Sequence, residues 1–146
     1  MDLMDFDQAG LYFDEPVPDS VRGLIAEAGG TYGDPSAEAL LHKAYFLAPE
    51  ALIVLVALYR YYFYKHRLED ALVVAERAMT LSGRQLELPA DWSQLDETRL
   101  GGAARTSFGL LRFHLLALKA ASIVLLRLGR IAASRARLLK LAALDS

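Results

Sequence analysis

No cysteine occurs anywhere in the 146 residues, which removes disulfides, thiolate catalysis and every cysteine-ligated zinc or iron–sulfur site, and suits a reducing compartment. Histidine is nearly as scarce. His42, His66 and His114 are the three present, and none stands three or four residues from another or within a glutamate-containing metal motif. On spacing alone, His66 reads as a solvated turn residue and His114 as a helix-face residue. Glycine-rich phosphate loops are missing too: Gly29-Gly30 with Gly33 reads as a helix stop, and Gly101-Gly102 follows no strand. Nothing resembles a nucleophile elbow, and the paired carboxylates Asp14-Glu15 and Asp96-Glu97 read as exposed, where an acid is a poor general acid. The expectation is a protein without catalysis, cofactor or metal.

Targeting signals are absent in the same way. The start M-D-L-M-D-F-D is acidic, where an export signal needs a positive region followed by an apolar run, so a cytoplasmic location is expected. Ala51 to Tyr59 is apolar but bounded by Glu50 and Arg60, too short for a bilayer. Phe108 to Leu128 has the length, yet Arg112, His114, Lys119 and Arg127 interrupt it. Arg112, Lys119 and Arg127 recur as one polar stripe, so an amphipathic helix is expected there and no membrane insertion.

Acidic residues are almost missing from the last third. Residues 1–50 carry ten acids and two bases, 51–98 seven and five, and 99–146 one acid, Asp145, and nine bases. Opposite charges at the two ends can help the fold close, or the basic end can serve an acidic partner. Nucleic acid is not the expected partner. The overall pI is near 5.9, and the C-terminal bases alternate with leucine and alanine rather than with stacking aromatics.

What is present is helical periodicity. The length suits one domain, with residues 1–18 an acidic irregular arm bearing Leu11, Tyr12 and Phe13, and 19–146 the helical body. Pro16 and Pro18 forbid a helix interior in the arm. The first helix runs through Val21, Leu24 and Ile25 to Gly29-Gly30, with Asp19 or Ser20 available as its cap. Asp34 followed by Pro35 starts a second that stops at Pro49. Pro49 and Glu50 suit the first turn of a third carrying Leu52, Leu55, Leu58, Tyr59 and Tyr62, which ends in the basic turn Lys65-His66-Arg67. Leu68 to Leu81 is its partner helix, closed by Ser82 and Gly83. A polar segment holding the single tryptophan follows, in which Asp91 or Ser93 can cap a short turn and Gly101-Gly102 weakens any helix through it. From about Ala103 a long helix runs to Leu128, turns at Gly129-Arg130 and is followed by Ile131 to Leu144. The fold class is all-α.

One internal repeat stands out. S-A-E-A-L-L-H-K-A-Y-F-L from Ser36 lies over D-A-L-V-V-A-E-R-A-M-T-L from Asp70, thirty-four residues on, matching Ala37 to Ala71, Ala44 to Ala78 and Leu47 to Leu81. On these residues the chain resembles a tetratricopeptide repeat over about 19–84 and 115–146. Leu55, Leu58, Tyr62, Ala71, Ala75 and Ala78 fall on the repeat pattern, and Leu118, Ala121, Ser122, Leu125, Ser134, Leu138 and Leu141 form a third unit. Tyr59 stands where the pattern has a small residue, which should push the hairpin helices apart or tilt them, and Gly83 stands where Pro is usual. The resemblance implies a short right-handed α-solenoid of antiparallel hairpins, about six helices, with an insertion over about 85–114. D-F-D-x-A-G-L-Y-F-D-E at the start and A-Y-F-L-A-P-E with Y-R-Y-Y-F-Y-K-H-R in the middle are similar to uncharacterised tetratricopeptide-like proteins of nitrogen-fixation gene clusters, which implies a role beside nitrogenase assembly.

In that repeat family the first helix of each unit lines a partner-binding groove. Carried onto this chain, the groove residues are Ile53, Val56, Arg60, Phe63 and Tyr64 from the central unit and Leu116, Lys119, Ile123, Leu126 and Arg127 from the last. An apolar floor set with bases suits a protein partner that offers an acidic amphipathic segment. The Lys and Asn pairing by which some family members clamp a C-terminal carboxylate is missing. Two functions remain open: a protein-interaction adaptor or assembly helper, and a self-associating structural protein whose groove is filled by its own insertion or arm. Leu138, Leu141 and Leu144 offer a face for a homodimer through the C-terminal helices.

Overall fold

The computed structural model describes residues 15–144, and every regular element among them is helical. Seven α-helices follow one another: α1 (Asp19–Gly29), α2 (Ser36–Leu47), α3 (Leu52–Tyr64), α4 (Leu68–Gln85), α5 (Glu97–Thr106), α6 (Phe108–Arg127) and α7 (Ile131–Leu144), with a 3₁₀ turn at Trp92–Gln94. Residues Leu11, Tyr12 and Phe13 of the acidic arm lie outside the described residues.

Local chemistry explains most of the boundaries. Asp34 Oδ1 accepts from Ser36 N at 2.9 Å and Pro35 supplies the preset φ of −55°, so α2 starts where expected. Asp91 accepts from Ser93 N at 2.9 Å and opens the tryptophan turn. His66, at φ 59°, ends α3 in the left-handed region, and Gly129, at φ +81°, does the same between α6 and α7.

Four boundaries differ from the sequence reading. No cap bond comes from Asp19 or Ser20; Pro18 holds the cap position of α1, and Asp19 lies in its first turn. Helix α4 does not close at Ser82 and Gly83 but continues to Gln85, because Ser82 Oγ donates to the Ala78 carbonyl at 2.8 Å and stays inside the helix. The expected long helix from Ala103 is two helices. Gly101-Gly102 lies within α5, whose start Asp96 caps by accepting from Arg99 N at 2.8 Å. Ser107 is extended and breaks the run, its Oγ capping α6 by accepting from Leu110 N at 3.1 Å. Among the described residues the helix count therefore rises from about six to seven, the extra one falling in the insertion.

The fourth difference is the start of α3. Pro49 and Glu50 stand before the helix, which has no acid in its first turn and no cap bond from its own N-cap residue, Ala51. Glu15 fills that role from the far end of the chain. Its carboxylate accepts from Leu52 N at 2.6 Å and Ile53 N at 2.9 Å, which satisfies two otherwise unpaired amides and places a negative charge at the positive end of the helix dipole. Arg22 Nη2 donates to the Glu15 carbonyl at 3.1 Å, so the foot of the arm is tied to α1 and α3 together.

Three hairpins, α1/α2, α3/α4 and α6/α7, pack in chain order, with α4 seated firmly against both α3 and α6 and with α5 on α6. The packing depends on small residues. Ala71, Ala75 and Ala78 of α4 and Ala117 and Ala121 of α6 are fully buried, where helices approach closely. Between α6 and α7 the same role falls to serines: Ser122 and Ser134 are buried, and Ser134 Oγ donates to the Ser122 carbonyl at 2.7 Å.

The second helices of the hairpins run side by side in one direction. Arg130 pairs with Glu69, and seven residues on Arg137 pairs with Glu76, so α7 and α4 ascend together. Arg67 pairs with Glu38 at 2.7 Å, and the Arg77 guanidinium lies 5.6 Å from the Tyr45 ring, which sets α4 parallel to α2 in the same way. Bases of each hairpin thus meet acids of the one before it. Each such partly exposed pair is worth about 1 kcal/mol or less, so they set register more than stability.

Helix α6 is long and apolar enough to cross a membrane by length and composition, and 67% of its most apolar window is buried inside the fold.

Candidate partner-binding face

Helix α3 reads L-I-V-L-V-A-L-Y-R-Y-Y-F-Y and buries nine of its thirteen residues, so little of it can reach a ligand. What remains outward is a narrow stripe at helical spacing: Ile53 and Phe63 half-buried, Arg60 and Tyr64 exposed. Helix α6 repeats the plan. Arg112, Leu115, Lys119, Ile123, Leu126 and Arg127 are exposed or half-buried, while the opposite side is core.

Both helices pack on α4 and run antiparallel to it, so they point the same way. They meet at their C-terminal ends, where the Arg127 guanidinium lies 5.4 Å from the Phe63 ring centroid. Phe63 in turn stacks on Tyr59 at 6.0 Å and 22°. Of the ten residues carried over from the repeat pattern, Phe63 and Arg127 are therefore in direct contact, and Ile53, Arg60, Tyr64, Lys119, Ile123 and Leu126 lie on the outward stripes. Val56 and Leu116 do not line an open floor. They are 8% and 3% exposed and belong to the core, because each is turned toward the packed side of its helix. Leu115, one position away, takes the outward place on α6.

Tyr32 was not singled out by pattern. It comes from the loop between α1 and α2 and packs edge-on against Tyr61 at 5.5 Å and tilted against Tyr64 at 5.5 Å, extending the aromatic edge beyond α3. Its only sequence signal was an aromatic residue in a glycine-containing loop. Arg112 had a clearer one, being part of the polar stripe that broke the apolar run.

The charge of this face is one-sided. Neither α3 nor α6 contains an acid, and Arg60, Arg112, Lys119 and Arg127 all lie on the outward stripes. Elsewhere the bases Arg67, Arg130 and Arg137 are bound to acids of the neighbouring hairpin. The surface accordingly combines apolar and aromatic side chains with a concentration of positive charge, the chemistry that attracts acids and retains apolar anchors.

The tryptophan segment lies on another side. The Arg137 guanidinium of α7 sits 5.7 Å from the Trp92 ring. A small cavity of about 130 Å³ under it is lined by Met79, Gly83, Trp92 and His114, among others. His114 is about 200° round α6 from Arg112 at helical spacing, and it is buried rather than on a solvated helix face. Its Nδ1 and Ser82 Oγ are 2.9 Å apart. Gly83 permits the contact, since a Cβ there would come within 3.1 Å of the imidazole. Burial pulls its pKa down from 6.5 to about 4, against a smaller opposing hydrogen bond that the ring donates to the Met79 backbone, so the ring is neutral at pH 7. His42 differs: its Nε2 is 2.9 Å from the Tyr62 hydroxyl and the residue is exposed. No group of three or more His, Cys, Asp or Glu among the described residues could hold a metal ion.

The C-terminal helix presents an apolar edge that includes part of the expected one. Leu138, Leu141 and Leu144 are half-buried, and Leu141 and Leu144 pack on the core. Ile131 and Leu139, at 62% and 60% exposed, are outward and share an open, almost wholly apolar hollow of about 310 Å³ with Leu126 and Leu138.

No family model matches this chain, and no solved structure matches it. An uncharacterised 19.8 kDa protein in the nifW 5′ region of Azotobacter chroococcum mcd 1 is 48% identical over 146 residues, a match that takes in all of this chain and 81% of that relative. At that identity and coverage the chain belongs to the same family as the uncharacterised protein of the nifW 5′ region.

Proposed function

We propose that this protein is a non-catalytic, tetratricopeptide-like adaptor or assembly helper of the cytoplasm that binds an acidic, apolar segment of a protein partner along the α3–α6 face, in the service of nitrogenase maturation. The observation that carries the reading is the face itself, where four bases and no acid on the two helices surround Ile53, Phe63, Tyr64 and Ile123. Support for the repeat architecture comes from the thirty-four-residue recurrence, the hairpins packed in chain order and the parallel second helices. The link to nitrogen fixation rests on the relative's position beside nifW.

Affinity capture from nitrogen-fixing cells tests this. Arg60→Glu combined with Lys119→Glu should lower recovery of the specific partner about tenfold or more, since reversed charges slow encounter and oppose an acidic segment, while the melting temperature stays near wild type. Recovery of the same partners by the reversed and native proteins would remove the face from the mechanism.

A second reading is favoured by Ile131, Leu139 and Leu126, whose exposed apolar hollow suits self-association through the C-terminal helices. Sedimentation equilibrium separates the two. A concentration-dependent dimer that Leu139→Glu converts to monomer supports the structural role, and a monomer at all concentrations supports the adaptor.

A further inference from the structure

The cavity beside Trp92 lies away from the partner face, and a side chain in its floor has a hydrogen-bonding atom to spare. Chain reversal at the end of α4 builds the site. Glu87 takes a left-handed φ of 56° and Leu88 N donates to the Gly83 carbonyl at 2.9 Å, so Leu88 and Pro89 fold back over the last turn of the helix. Trp92 adds an aromatic wall, with Arg137 of α7 over its ring. Met79, Gly83 and His114 form the floor, where the missing Cβ of Gly83 leaves the imidazole room.

The hydrogen bonds of Ser82 set the tautomer of His114. Ser82 Oγ has one proton, which goes to the carbonyls of Ala78 at 2.8 Å and Met79 at 3.1 Å. Nδ1, 2.9 Å from that oxygen, is therefore the donor to it, since two lone pairs would repel. A neutral ring has one N–H, so the weaker bond to the Met79 backbone draws on the same proton. Nε2 is left with a lone pair, and no hydrogen bond from another described residue reaches it. With Nδ1 turned to Ser82 and Cε1 against Gly83, the Nε2 edge is the one left for the cavity. A buried acceptor without a donor is costly, so the site gains from a molecule that supplies one.

The cavity measures about 130 Å³, close to the volume that holds one benzene ring. Its walls are mostly apolar, and Trp92 and the Met79 sulfur suit the face and edge of a planar ring. A carboxylate or phosphate would set lone pairs against Nε2. An ammonium would find no acid, because none lines the cavity among the described residues. We propose that this cavity is a binding site for a small neutral aromatic molecule of the phenol class, its hydroxyl donating to His114 Nε2 and its ring lying against Trp92. The site is separate from the α3–α6 face and does not depend on it.

Titration of the full chain with phenol at pH 7 tests this, followed by calorimetry and by the fluorescence of Trp92, the single tryptophan. Fluorobenzene is the control, having nearly the same shape without the donor. Phenol should bind saturably and about fivefold or more tightly than fluorobenzene, the ratio that one hydrogen bond supplies. His114→Phe keeps a ring beside Gly83 without the acceptor, and there the two probes should bind alike. Should that variant fail to fold, nitrogen NMR of the wild-type imidazole decides the matter: Nε2 should be unprotonated, and its signal should move with phenol and not with fluorobenzene. Equal binding of the two probes to wild type, or a preference for phenol that survives in His114→Phe, would overturn the proposal. Saturable binding of neither would leave the cavity to water and overturn it too. None of these results bears on partner capture by the α3–α6 face.

Discussion

Tyr59→Ala should lower the unfolding free energy by about 3–5 kcal/mol, the range for emptying a large aromatic site in a closed core, even though it brings the chain nearer the tetratricopeptide pattern. A small residue at that position would relieve the hairpin only if the ring held its helices apart. Tyr59 is fully buried and stacks on Phe63 of its own helix, and α3 and α4 pack on one another, so the ring fills space in a closed core. Removal of the ring leaves a void and withdraws support from Phe63, which holds Arg127 across to α6. Urea denaturation at unchanged slope would measure the loss. A change under about 1 kcal/mol, or a stabilisation, would show that the site collapses around the smaller side chain and that the repeat pattern is the better guide there.

Acid should weaken the fold through His114, and the size of the effect follows from its depressed pKa. An unfolded chain binds a proton at His114 near the ordinary value of 6.5, whereas the folded chain resists until about 4. Between those values the unfolded state holds more protons, so stability rises with pH. The contribution is complete above about pH 6.5, is lost progressively as pH falls toward 4, and levels off below. A shift of this size corresponds to about 3 kcal/mol at pH 4. His114→Asn keeps a polar atom near Ser82 Oγ and removes the titration. It should be less stable than wild type at pH 7 yet lose less on acidification, so that the two denaturation curves converge toward pH 4. Parallel pH profiles would show that the imidazole is solvated and that its burial between Gly83 and the tryptophan turn is incomplete.

These two residues also show where pattern reading succeeds and where it stops. Helical periodicity, the Asp34-Pro35 start, the turn at Lys65-His66-Arg67 and the glycine at 129 each act within a few residues of chain, so six of the seven helices were visible in advance. Alanines at 71, 75 and 78 marked the close crossings because only a small side chain fits between packed helices. Ser107 was harder. Its break depends on a hydroxyl choosing to cap Leu110 rather than remain inside a helix, a choice that the surrounding apolar run conceals. The seventh helix, α5, was missed for a related reason: Gly101-Gly102 lowers propensity by about 1 kcal/mol per glycine, and packing of Leu100, Ala103 and Ala104 on the core outweighs it.

For the candidate face, the outward stripe on α3 was legible as Ile53, Arg60, Phe63 and Tyr64, and that on α6 as Lys119, Ile123 and Arg127. Val56 and Leu116 were assigned outward because a helix apolar on nearly every side carries no periodic signal that separates its exposed face from its buried one. Arg127 over Phe63, and Tyr32 against Tyr61 and Tyr64, join residues that lie far apart in the chain and could not be paired from spacing.

What the sequence determined by itself is whatever short-range physics governs: an all-helical chain without thiol chemistry, hairpins with small residues at their crossings, and an acidic start opposed by a basic end. Tertiary structure alone decided which partners the charges found. Arg130 and Arg137 were drawn to Glu69 and Glu76 by the parallel course of α4 and α7, each of which packs on α6. Glu15 became the cap of a helix that begins thirty-seven residues later. His114 was desolvated by a glycine that lets its ring approach. In each case the deciding energy is a contact between segments distant in sequence, set by how whole helices pack and so absent from any local window of residues.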